Sequence, residues 1–567
     1  MSGTAVSRST PAGAGNAGAA PGFPWARLAF GYLLLGLALI AFLPPWEGYD
    51  ENAHYASIQE AADTGRLPVL GESRLSTNVE QYADYAPLPY ASTPPMESNG
   101  GYTYRSFFAA GDDVRRRGRS LVHGRPAQPR RYEAGRVFNW QAQHPPLYYW
   151  LIAPLYRLTR AWAWAPQLAL LRAFSYGMAW AAWCLAAATA RRARRRDATA
   201  SRGAWALTAL GLWPALFPAW FADTARLGND SLCCLVIAAV WAVCLESTRE
   251  GLSFPRAAAL GLLLGLGCLT KVFLVPVTAG VLAFWAARLL ARGKWRTGLA
   301  KLALAAAVAL AVSGWWYVRC WRLYGSPIVS ATDVLMPAPP GGVMHGFAAH
   351  VPLPLFARNL AALVASAAWT PTWSLARPSG WWLVPLVASM GLAALFYVRA
   401  ARRAPATSED RLPLWMAVPL IAGLTLALAM KGAFGAPGGI GGYYLQVLLA
   451  PLSWAFGLAL SASWPGGLVH QAWKALVVYA VAFGIATQWA QAMLYAGIVF
   501  KAGASKDYQL EGLPRWLGIP EGLERLRSLT YPDAGAVLWV VALAMIVSGL
   551  LALGRHADRN AGRKQAR

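Results

Sequence analysis

Charged residues are scarce in this sequence. They make up 14% of its 567 residues, whereas 56% are hydrophobic, and a soluble globular protein averages about a quarter charged residues. The chain therefore lacks the polar surface that a water-soluble protein needs. Its apolar residues stand in blocks of roughly 20, the length that a helix needs to cross a hydrocarbon core of about 30 Å. Because a backbone in lipid must satisfy its own hydrogen bonds, these blocks predict helices rather than strands.

Acidic residues are the scarcer charged class. The chain has 26 Asp and Glu against 51 Lys and Arg, a net charge of +25. Such an excess can indicate a nucleic-acid binder, but here most of the positive charge stands in short runs at the ends of apolar blocks. That pattern sets the topology of membrane proteins. We therefore predict membrane lipids as partners and no nucleic acid. The basic runs lie at 191–196, 288–296, 399–403 and 555–567.

Cysteine and internal repetition are also lacking. The six cysteines lie within or at the edges of apolar blocks and form no pair of CxxC motifs, so we expect small membrane-embedded side chains rather than disulfides or a metal site. No internal repeat is visible, which weighs against transporters built from duplicated halves. No small-residue cleavage site follows the first apolar block, so we expect a retained helix rather than a signal peptide.

The apolar blocks predict an all-α, polytopic membrane protein of about twelve transmembrane helices. Two helices on either side of Lys271 are expected within 256–290, and one long kinked helix is the alternative. The transmembrane domain is placed at 27–553, between a disordered cytoplasmic tail at 1–26 and a basic cytoplasmic tail at 554–567. With the N-terminus inside, every basic run falls on the cytoplasmic side. The helices are expected at 27–44, 168–190, 204–222, 230–247, 256–271, 273–290, 299–318, 381–400, 413–431, 443–461, 472–496 and 535–553.

This topology leaves one large segment, residues 45–167, on the outer (periplasmic) face. Loops of this length are exempt from the rule that keeps positive charge inside. The aromatic stretch 145–158 is too short to span and predicts a helix lying in the membrane interface. The arginines between 105 and 136 suggest an anionic acceptor or headgroup, or attachment of the loop to the bilayer surface.

A first polar cluster directly follows the first helix. If a short helix starts here, Asp50 and His54 lie on one face at the i, i+4 spacing. A carboxylate at this place can act as general base for an incoming hydroxyl. Alternatively, the acids complement the dipole of the helix start. The cluster reads Trp46-Glu47-Gly48-Tyr49-Asp50-Glu51-Asn52-Ala53-His54.

Three further clusters are predicted at the same outer face, and this convergence indicates a functional site more than any single motif does. Structural interpretations stay open, because prolines start helices, Asn and Asp cap them, and long basic side chains snorkel to the membrane surface. An ionisable residue at membrane depth is nevertheless costly and indicates function. The clusters are Gln143-His144 with Tyr148 and Tyr149; Asp223 and Arg226 with Asn229 and Asp230; and Lys271, with Arg319 at the outer end of a later helix.

In these motifs the sequence resembles the GT-C superfamily of membrane glycosyltransferases, which use a polyprenyl-phosphate-linked sugar as donor. It is most similar to the branch containing the lipid A aminoarabinose transferase and the protein O-mannosyltransferases. It also resembles a less characterised bacterial family with an Asp-Glu-x-x-His signature in the first outer loop. The motifs are Asp50-Glu51-x-x-His54, His144-Pro145-Pro146-Leu147-Tyr148-Tyr149-Trp150, Arg226 through Asn229-Asp230, Gly265-Leu266-x-x-Leu269-Thr270-Lys271, the stretch from Trp315 to Gly325, and Tyr443-Tyr444-Leu445.

The resemblance implies a role for each of these positions. Asp50 would be the catalytic base, and Glu51 would support it as the second catalytic carboxylate. The donor phosphate would be bound by Lys271, Arg226, His144 and Arg319. The substrate site would be supported by His54, Gln143, Tyr148, Tyr149, Asp230 and Tyr443.

The chain departs from the family pattern at two positions. The aminoarabinose transferases typically carry a Lys where this chain has His144, which must be protonated to supply a positive charge. Gly441-Gly442 stand where related proteins often have an Arg before the late Tyr, so the cation must come from elsewhere, with Lys431 as the candidate. Some superfamily members hold a divalent metal with first-loop acids. Since the loop has no Asp-x-Asp pair, we predict no metal and no other cofactor.

The resemblance implies inverting transfer of a sugar from a polyprenyl-phosphate donor to a lipid, glycan or protein acceptor of the cell envelope. The reaction would take place at the periplasmic face of the bacterial inner membrane. Two other functions are open. A lipid-linked glycan transporter or flippase would need basic residues near a lipid phosphate, but no base beside them. A non-catalytic scaffold for envelope assembly would use residues 45–167 as a protein-binding surface.

Overall fold

The computed structural model describes residues 24–89, 101–196, 201–293, 295–374, 380–435, 440–463, 467–499 and 519–565. The predicted disordered tail at 1–26 lies almost wholly outside these residues. Of the predicted basic tail at 554–567, the structure describes a helical backbone as far as Gln565 but not the side chains.

Helices dominate the described chain. In order they are α1 Trp25–Phe42, α2 Glu51–Thr64, α3 Thr77–Tyr82, α4 Tyr104–Ala109, α5 Asp112–His123, α6 Leu147–Thr159, α7 Trp164–Arg196, α8 Ser201–Leu216, α9 Ala219–Thr224, α10 Asp230–Glu250, α11 Phe254–Cys268, α12 Leu274–Ala291, α13 Trp295–Tyr324, α14 Ala331–Leu335, α15 Val343–His350, α16 Leu353–Ala368, α17 Gly380–Arg402, α18 Leu412–Ala433, α19 Leu449–Ser463, α20 Gly467–Tyr495, α21 Ile519–Leu526 and α22 Pro532–Gln565. Short 3₁₀ turns at Glu409–Arg411 and Gly442–Leu448 precede α18 and α19.

The structure confirms the predicted all-α, polytopic membrane fold. Within the described residues, ten helices are long and apolar enough to cross a membrane, namely α1, α7, α10, α12, α13, α17, α18, α19, α20 and α22. Two more predicted spans, 204–222 and 256–271, correspond to the shorter apolar helices α8 and α11. A helix therefore stands at each of the twelve predicted places. The segment 256–290 forms two helices, with Lys271 in the turn between them.

Small residues bring several of these helices close together. Gly261 of α11 lies against the backbone of Ala305 in α13, and Gly280 of α12 lies against the carbonyl of Trp415 in α18. A Cβ at either glycine would overlap the neighbouring helix. Close backbone approach of this kind is how membrane helices gain packing energy, because lipid tails provide no hydrophobic driving force between them.

The helix ends are grouped as expected if successive helices cross the membrane in alternating directions. At one end, Arg172 near the start of α7 donates to the carbonyl of Pro44 after α1, at 2.7 Å, and Asn229 before α10 donates to the carbonyl of Thr270 after α11, at 3.3 Å. This end also carries Asp50 and is called the Asp50 end below. At the opposite end, Arg249 of α10 forms an ion pair with Glu409 before α18, at 2.7 Å.

The segment 45–167 folds into short helices and one small sheet. Strands β1 (Arg74–Ser76) and β2 (Ala134–Phe138) pair antiparallel, with Arg74 opposite Phe138. The sequence did not indicate this sheet, because strands of three and five residues are too short to show an alternating pattern. The predicted helix at 145–158 is present as α6, and it is amphipathic, with Tyr148, Tyr149 and Tyr156 buried and Trp150 and Leu158 exposed.

Helices α15 and α16 were not predicted. Together they are long and apolar enough for a span, but they are bent by 90° at the break between them. Val351, in the break, packs against Gly432 near the end of α18. The chain after α16 returns to the first loop, where Trp373 N–H donates to the carbonyl of Glu47 at 2.9 Å. The α15–α16 pair therefore begins and ends at the Asp50 end.

Candidate active site

The site is built on a strained loop between α1 and α2. Trp46 and Asp50 have positive φ angles of 69° and 57°, a conformation that is uncommon outside glycine and that Asp adopts more readily than most residues. Helix α2 begins at Glu51, so Asp50 is its N-cap residue, but its side chain makes no capping hydrogen bond. The backbone carbonyl of Asp50 instead accepts from His54 N–H at 2.9 Å. The Asp50 carboxylate is therefore not used to cap the helix.

The Asp50 side chain is half-buried and has few partners. Trp140 Nε1–H donates to Asp50 Oδ1 at 2.7 Å, and this is the one hydrogen bond to the carboxylate among the residues described. Lys431, at the end of α18, interacts electrostatically with Asp50. Tyr149, Tyr443 and Tyr444 lie close enough to interact electrostatically with the same carboxylate. Asp50 is thus a partly exposed carboxylate with a cation and three phenols around it.

Glu51, in contrast, is fully buried and fully bonded. Arg172 of α7 binds both of its oxygens, with Nε 2.7 Å from Oε1 and an Nη2 contact of 2.6 Å to Oε2. Backbone N–H groups of Leu227 and Gly48 donate to the same carboxylate at 3.0 and 3.3 Å. Glu51 therefore ties three segments of the fold together. Arg172 was not picked out from the sequence, although an arginine inside the predicted span 168–190 was a signal.

Glu47 is a second buried acid that the sequence interpretation passed over. Its carboxylate accepts from Tyr104 OH at 2.8 Å and from Ser374 Oγ at 2.5 Å. Burial raises the pKa of Glu47 above its usual value, and the hydrogen bonds from Ser374 and Tyr104 oppose that rise. The residue joins the first loop to the chain that follows α16.

Two carboxylates and two positively charged side chains form a buried network beside this loop. Arg226 donates to Asp223 Oδ1 at 2.7 Å and to Asp230 Oδ2 at 2.9 Å, and Lys271 Nζ lies 2.6 Å from Asp230 Oδ1. Arg226 also donates to the carbonyl of Tyr49, at 2.6 Å. Tyr49 directly precedes Asp50 in the chain. All four charged side chains are at most 4% exposed. The structure thus brings Arg226, Asp230 and Lys271 together, as predicted, and gives each cation a carboxylate partner.

Two histidines stack beside the network. The rings of His54 and His144 are nearly parallel, with centroids 6.0 Å apart, and His54 Nδ1 is 3.0 Å from Tyr149 OH. Burial, together with the nearby Lys271 and Arg226, lowers the pKa of His144 to about 3. Burial also lowers the pKa of His54. In the unliganded site both rings are therefore neutral at pH 7, so His144 does not carry the positive charge that its predicted role requires.

The remaining predicted residues lie at different distances from this centre. Tyr443 stacks on Tyr49, with ring centroids 5.5 Å apart. Tyr148 OH is 2.6 Å from Ser175 Oγ, which anchors α6 to α7. Gln143 Oε1 is buried without a partner among the described residues. Arg319 donates to the carbonyl of Pro68 at 3.0 Å, so its described contacts hold the large outer segment rather than the Asp230 network.

An apolar cavity of about 470 Å³ opens at the Asp50 end. Gly48 and Ala225 form part of its wall, so it reaches the loop that carries Asp50, but Asp50 is not one of its lining residues. The rest of the wall comes mostly from the ends of α1, α9, α20 and α22 and from residues 369–372. All of these belong to the same end of the bundle, so the cavity does not form a passage through it.

No three His, Cys, Asp or Glu side chains are grouped as a metal site would require in the part of the chain that the structure describes. The acids of the first loop are instead engaged by Arg172, Tyr104, Ser374 and Trp140. What the arrangement offers chemically is an accessible carboxylate bordered by cations.

Comparisons with known proteins find a distant likeness. No protein-family model and no curated protein matches the sequence. One similar solved structure is ArnT from Cupriavidus metallidurans bound to undecaprenyl phosphate, with 17% identity, 94% of this chain and 77% of that chain covered, and a TM-score of 0.43. Another is the same protein in the apo state, with 17% identity, coverage of 88% and 75%, and a TM-score of 0.38. Because the likeness is distant, function has to be inferred from the site itself.

Proposed function

We propose that the protein is an inverting glycosyltransferase that moves a sugar from a polyprenyl-phosphate donor to an acceptor of the cell envelope. The observation that carries the proposal is a difference in burial and hydrogen bonding among three neighbouring acids. Glu47 and Glu51 are buried and bonded through both oxygens, whereas Asp50 is half-buried and receives one hydrogen bond among the described residues. A carboxylate kept accessible beside two bonded ones is suited to general-base chemistry.

Asp50 acts on the acceptor hydroxyl in this mechanism. As the acceptor oxygen forms its bond to the anomeric carbon, the hydroxyl proton passes to Asp50. The bond between that carbon and the phosphate oxygen breaks, and the polyprenyl phosphate leaves with the electron pair. Attack from the face opposite to the leaving group inverts the anomeric centre. No metal is needed for the proton transfer, and no cofactor beyond the lipid-linked sugar is proposed.

The cations around Asp50 stabilise the leaving phosphate. Lys431 interacts with the Asp50 carboxylate. The Arg226 guanidinium lies 6.0 and 5.9 Å from the ring centroids of Tyr49 and Tyr443, and Lys271 shares the carboxylate of Asp230 with Arg226. Preorganised positive charge at the place where negative charge develops usually contributes most to catalysis. We assign Lys431, which interacts with the Asp50 carboxylate, the main contact with the phosphate, and Arg226 and Lys271 a supporting electrostatic field.

The positive-inside pattern supports a site on the periplasmic face of the bacterial inner membrane, with both termini in the cytoplasm. The described basic residues of 191–196, 288–296 and 399–403 lie at the end of the bundle opposite Asp50. A transporter would need basic residues near a lipid phosphate but no base beside them. The partly exposed Asp50 carboxylate therefore favours the transferase.

Binding of undecaprenyl phosphate to the purified protein in nanodiscs tests the donor assignment. A ligand that binds only the folded state raises stability by RT ln(1 + [L]/Kd), about 2.7 kcal/mol at 100 Kd. We expect a concentration-dependent rise in Tm for the wild type and about tenfold weaker binding for Lys431→Gln. Lys301→Gln, in α13 away from the Asp50 end, is the matched control and should bind as the wild type does. Failure of undecaprenyl phosphate to stabilise the wild type would contradict the proposal.

A further inference from the structure

The segment that joins β2 to α6 passes directly over the start of α2, and none of the family motifs in the sequence includes its tryptophan. We propose that Trp140 is a positioning residue that fixes the Asp50 carboxylate for proton transfer. This inference rests on the proposed function, because it assigns Trp140 a role through the base. The observation that supports the inference is the 2.7 Å hydrogen bond from Trp140 Nε1 to Asp50 Oδ1.

The hydrogen bond distinguishes the two oxygens of Asp50. Oδ1 accepts the hydrogen bond from the indole N–H. No described residue donates to Oδ2, and Oδ2 is not a buried atom. Oδ2 is therefore the oxygen that can accept the acceptor proton. Without this contact the carboxylate could rotate, because it makes no capping bond to α2. A donor aimed at a carboxylate forms one of the stronger hydrogen bonds in proteins.

Trp140 is itself held firmly against α2. The preceding residue, Asn139, is fully buried, and its Nδ2 donates to the carbonyl of Ala53 at 3.1 Å and to Ser57 Oγ at 3.0 Å. Its backbone N–H donates to the carbonyl of Ser73 at 2.9 Å. Two of these bonds fix the segment to the helix that Asp50 begins, and the third fixes it to the residue before β1. The indole and the carboxylate therefore keep a constant relative position.

The proposed step is one proton transfer and one substitution. The acceptor O–H proton moves to Asp50 Oδ2 while the acceptor oxygen bonds to the anomeric carbon and the phosphate leaves with its electron pair. Trp140 keeps its own proton throughout and does not touch the substrate. A misplacement of reacting groups by about 1 Å can cost on the order of 100-fold in rate, so loss of the Trp140 contact should lower kcat rather than donor binding.

Trp454 of α19 provides a control outside the site. It is buried, and its Nε1–H has no partner among the described residues. Replacing either tryptophan by phenylalanine removes ring volume. Only the change at position 140 also removes a hydrogen bond to the base.

The experiment measures kcat and donor KM for Trp140→Phe and Trp454→Phe, together with a protein carrying β-(3-benzothienyl)alanine at position 140. That analogue keeps the ring size and lacks the N–H group. We expect kcat to fall about 10- to 100-fold for both position-140 proteins, with KM within twofold of the wild type, and little change in kcat for Trp454→Phe. If the analogue restores wild-type kcat, Trp140 only fills space and the inference is overturned.

Asp50→Asn in the same assay separates this inference from the proposed function. If Asp50→Asn is inactive and both position-140 proteins keep wild-type kcat, the positioning role fails while the function stands. If Asp50→Asn keeps its activity, the assignment of the base fails, and with it the function of Trp140.

Discussion

The carboxylate of Glu51 and the guanidinium of Arg172 form a bidentate ion pair, with contacts of 2.7 and 2.6 Å, between residues that are 121 positions apart in the chain. The pair is almost fully buried, and Arg172 also donates to the carbonyl of Pro44 at 2.7 Å. Glu51 and Asp50 are adjacent in sequence, but the fold gives them different tasks. Glu51 holds α2 against α7, whereas Asp50 stays partly exposed.

Removing one partner of this pair should destabilise the protein. A single change such as Glu51→Leu or Arg172→Met leaves a buried unpaired charge, which costs about 3–5 kcal/mol. We expect a marked fall in Tm for each single variant and partial recovery in the double variant, because replacing both partners by apolar residues removes the unpaired charge. Thermal unfolding in detergent measures this.

The exposed pair Arg527–Asp533, at 2.8 Å, is the control, and Arg527→Gln should leave Tm unchanged. Equal effects at the two pairs, or a double variant no more stable than the single ones, would show that Glu51 is not held mainly by Arg172.

The pKa of His144 makes stability depend on pH. The folded pKa is about 3, and the unfolded value is about 6.5. Between these values the unfolded chain binds a proton that the folded chain does not, so this contribution to stability is present above about pH 6.5 and is lost as the pH falls. We therefore expect the wild-type Tm to fall more steeply between pH 6.5 and 4.5 than that of His144→Gln.

His345→Gln, which changes an exposed histidine, should follow the wild-type curve. Parallel curves for the wild type and His144→Gln would mean that the His144 ring accepts a proton in the folded protein. Phosphate binding could then draw on a charged His144, as the family resemblance implies.

Gly442 allows α16 to pack closely against the turn that carries Tyr443. A Cβ at Gly442 would overlap the carbonyl of Leu363, and the Gly442 N–H donates to Ser366 Oγ at 2.7 Å. We expect Gly442→Ala to lower both Tm and turnover, since Tyr443 would be displaced from Tyr49. The control is Gly391→Ala in α17, where a Cβ meets nothing within 4 Å and Tm should stay the same or rise. An equally stable and active Gly442→Ala protein would contradict this account of the turn.

The sequence was sufficient to place the helices because the membrane imposes a length and a composition on each one. All twelve predicted positions carry a helix, and the outer turns meet as the alternation requires, so that Arg226, Asp230 and Lys271 form one network. The hydropathy pattern did not predict the 90° bend between α15 and α16, since composition does not specify where an apolar segment turns back.

Contacts between residues far apart in the chain could not be predicted from the sequence alone. The partners of Glu51 and of Asp50, Arg172 and Trp140, lie 121 and 90 positions away. No local spacing encodes such contacts. The catalytic role of Glu51 was an implication of the family resemblance. The roles of Asp50, Lys271, Arg226 and the other site residues in transfer stay predictions.

Turnover of Asp50→Asn tests the central claim most directly. Asn keeps the size of the side chain and tolerates the positive φ at this position, but it cannot accept a proton as a base does. The assay follows release of polyprenyl phosphate from a polyprenyl-phosphate sugar in the presence of envelope acceptor, with Tm measured on the same samples. We expect a loss of about 10²-fold or more in turnover with unchanged Tm. An Asp50→Asn protein that folds and keeps most of its donor-dependent activity would contradict the assignment of Asp50 as the catalytic base.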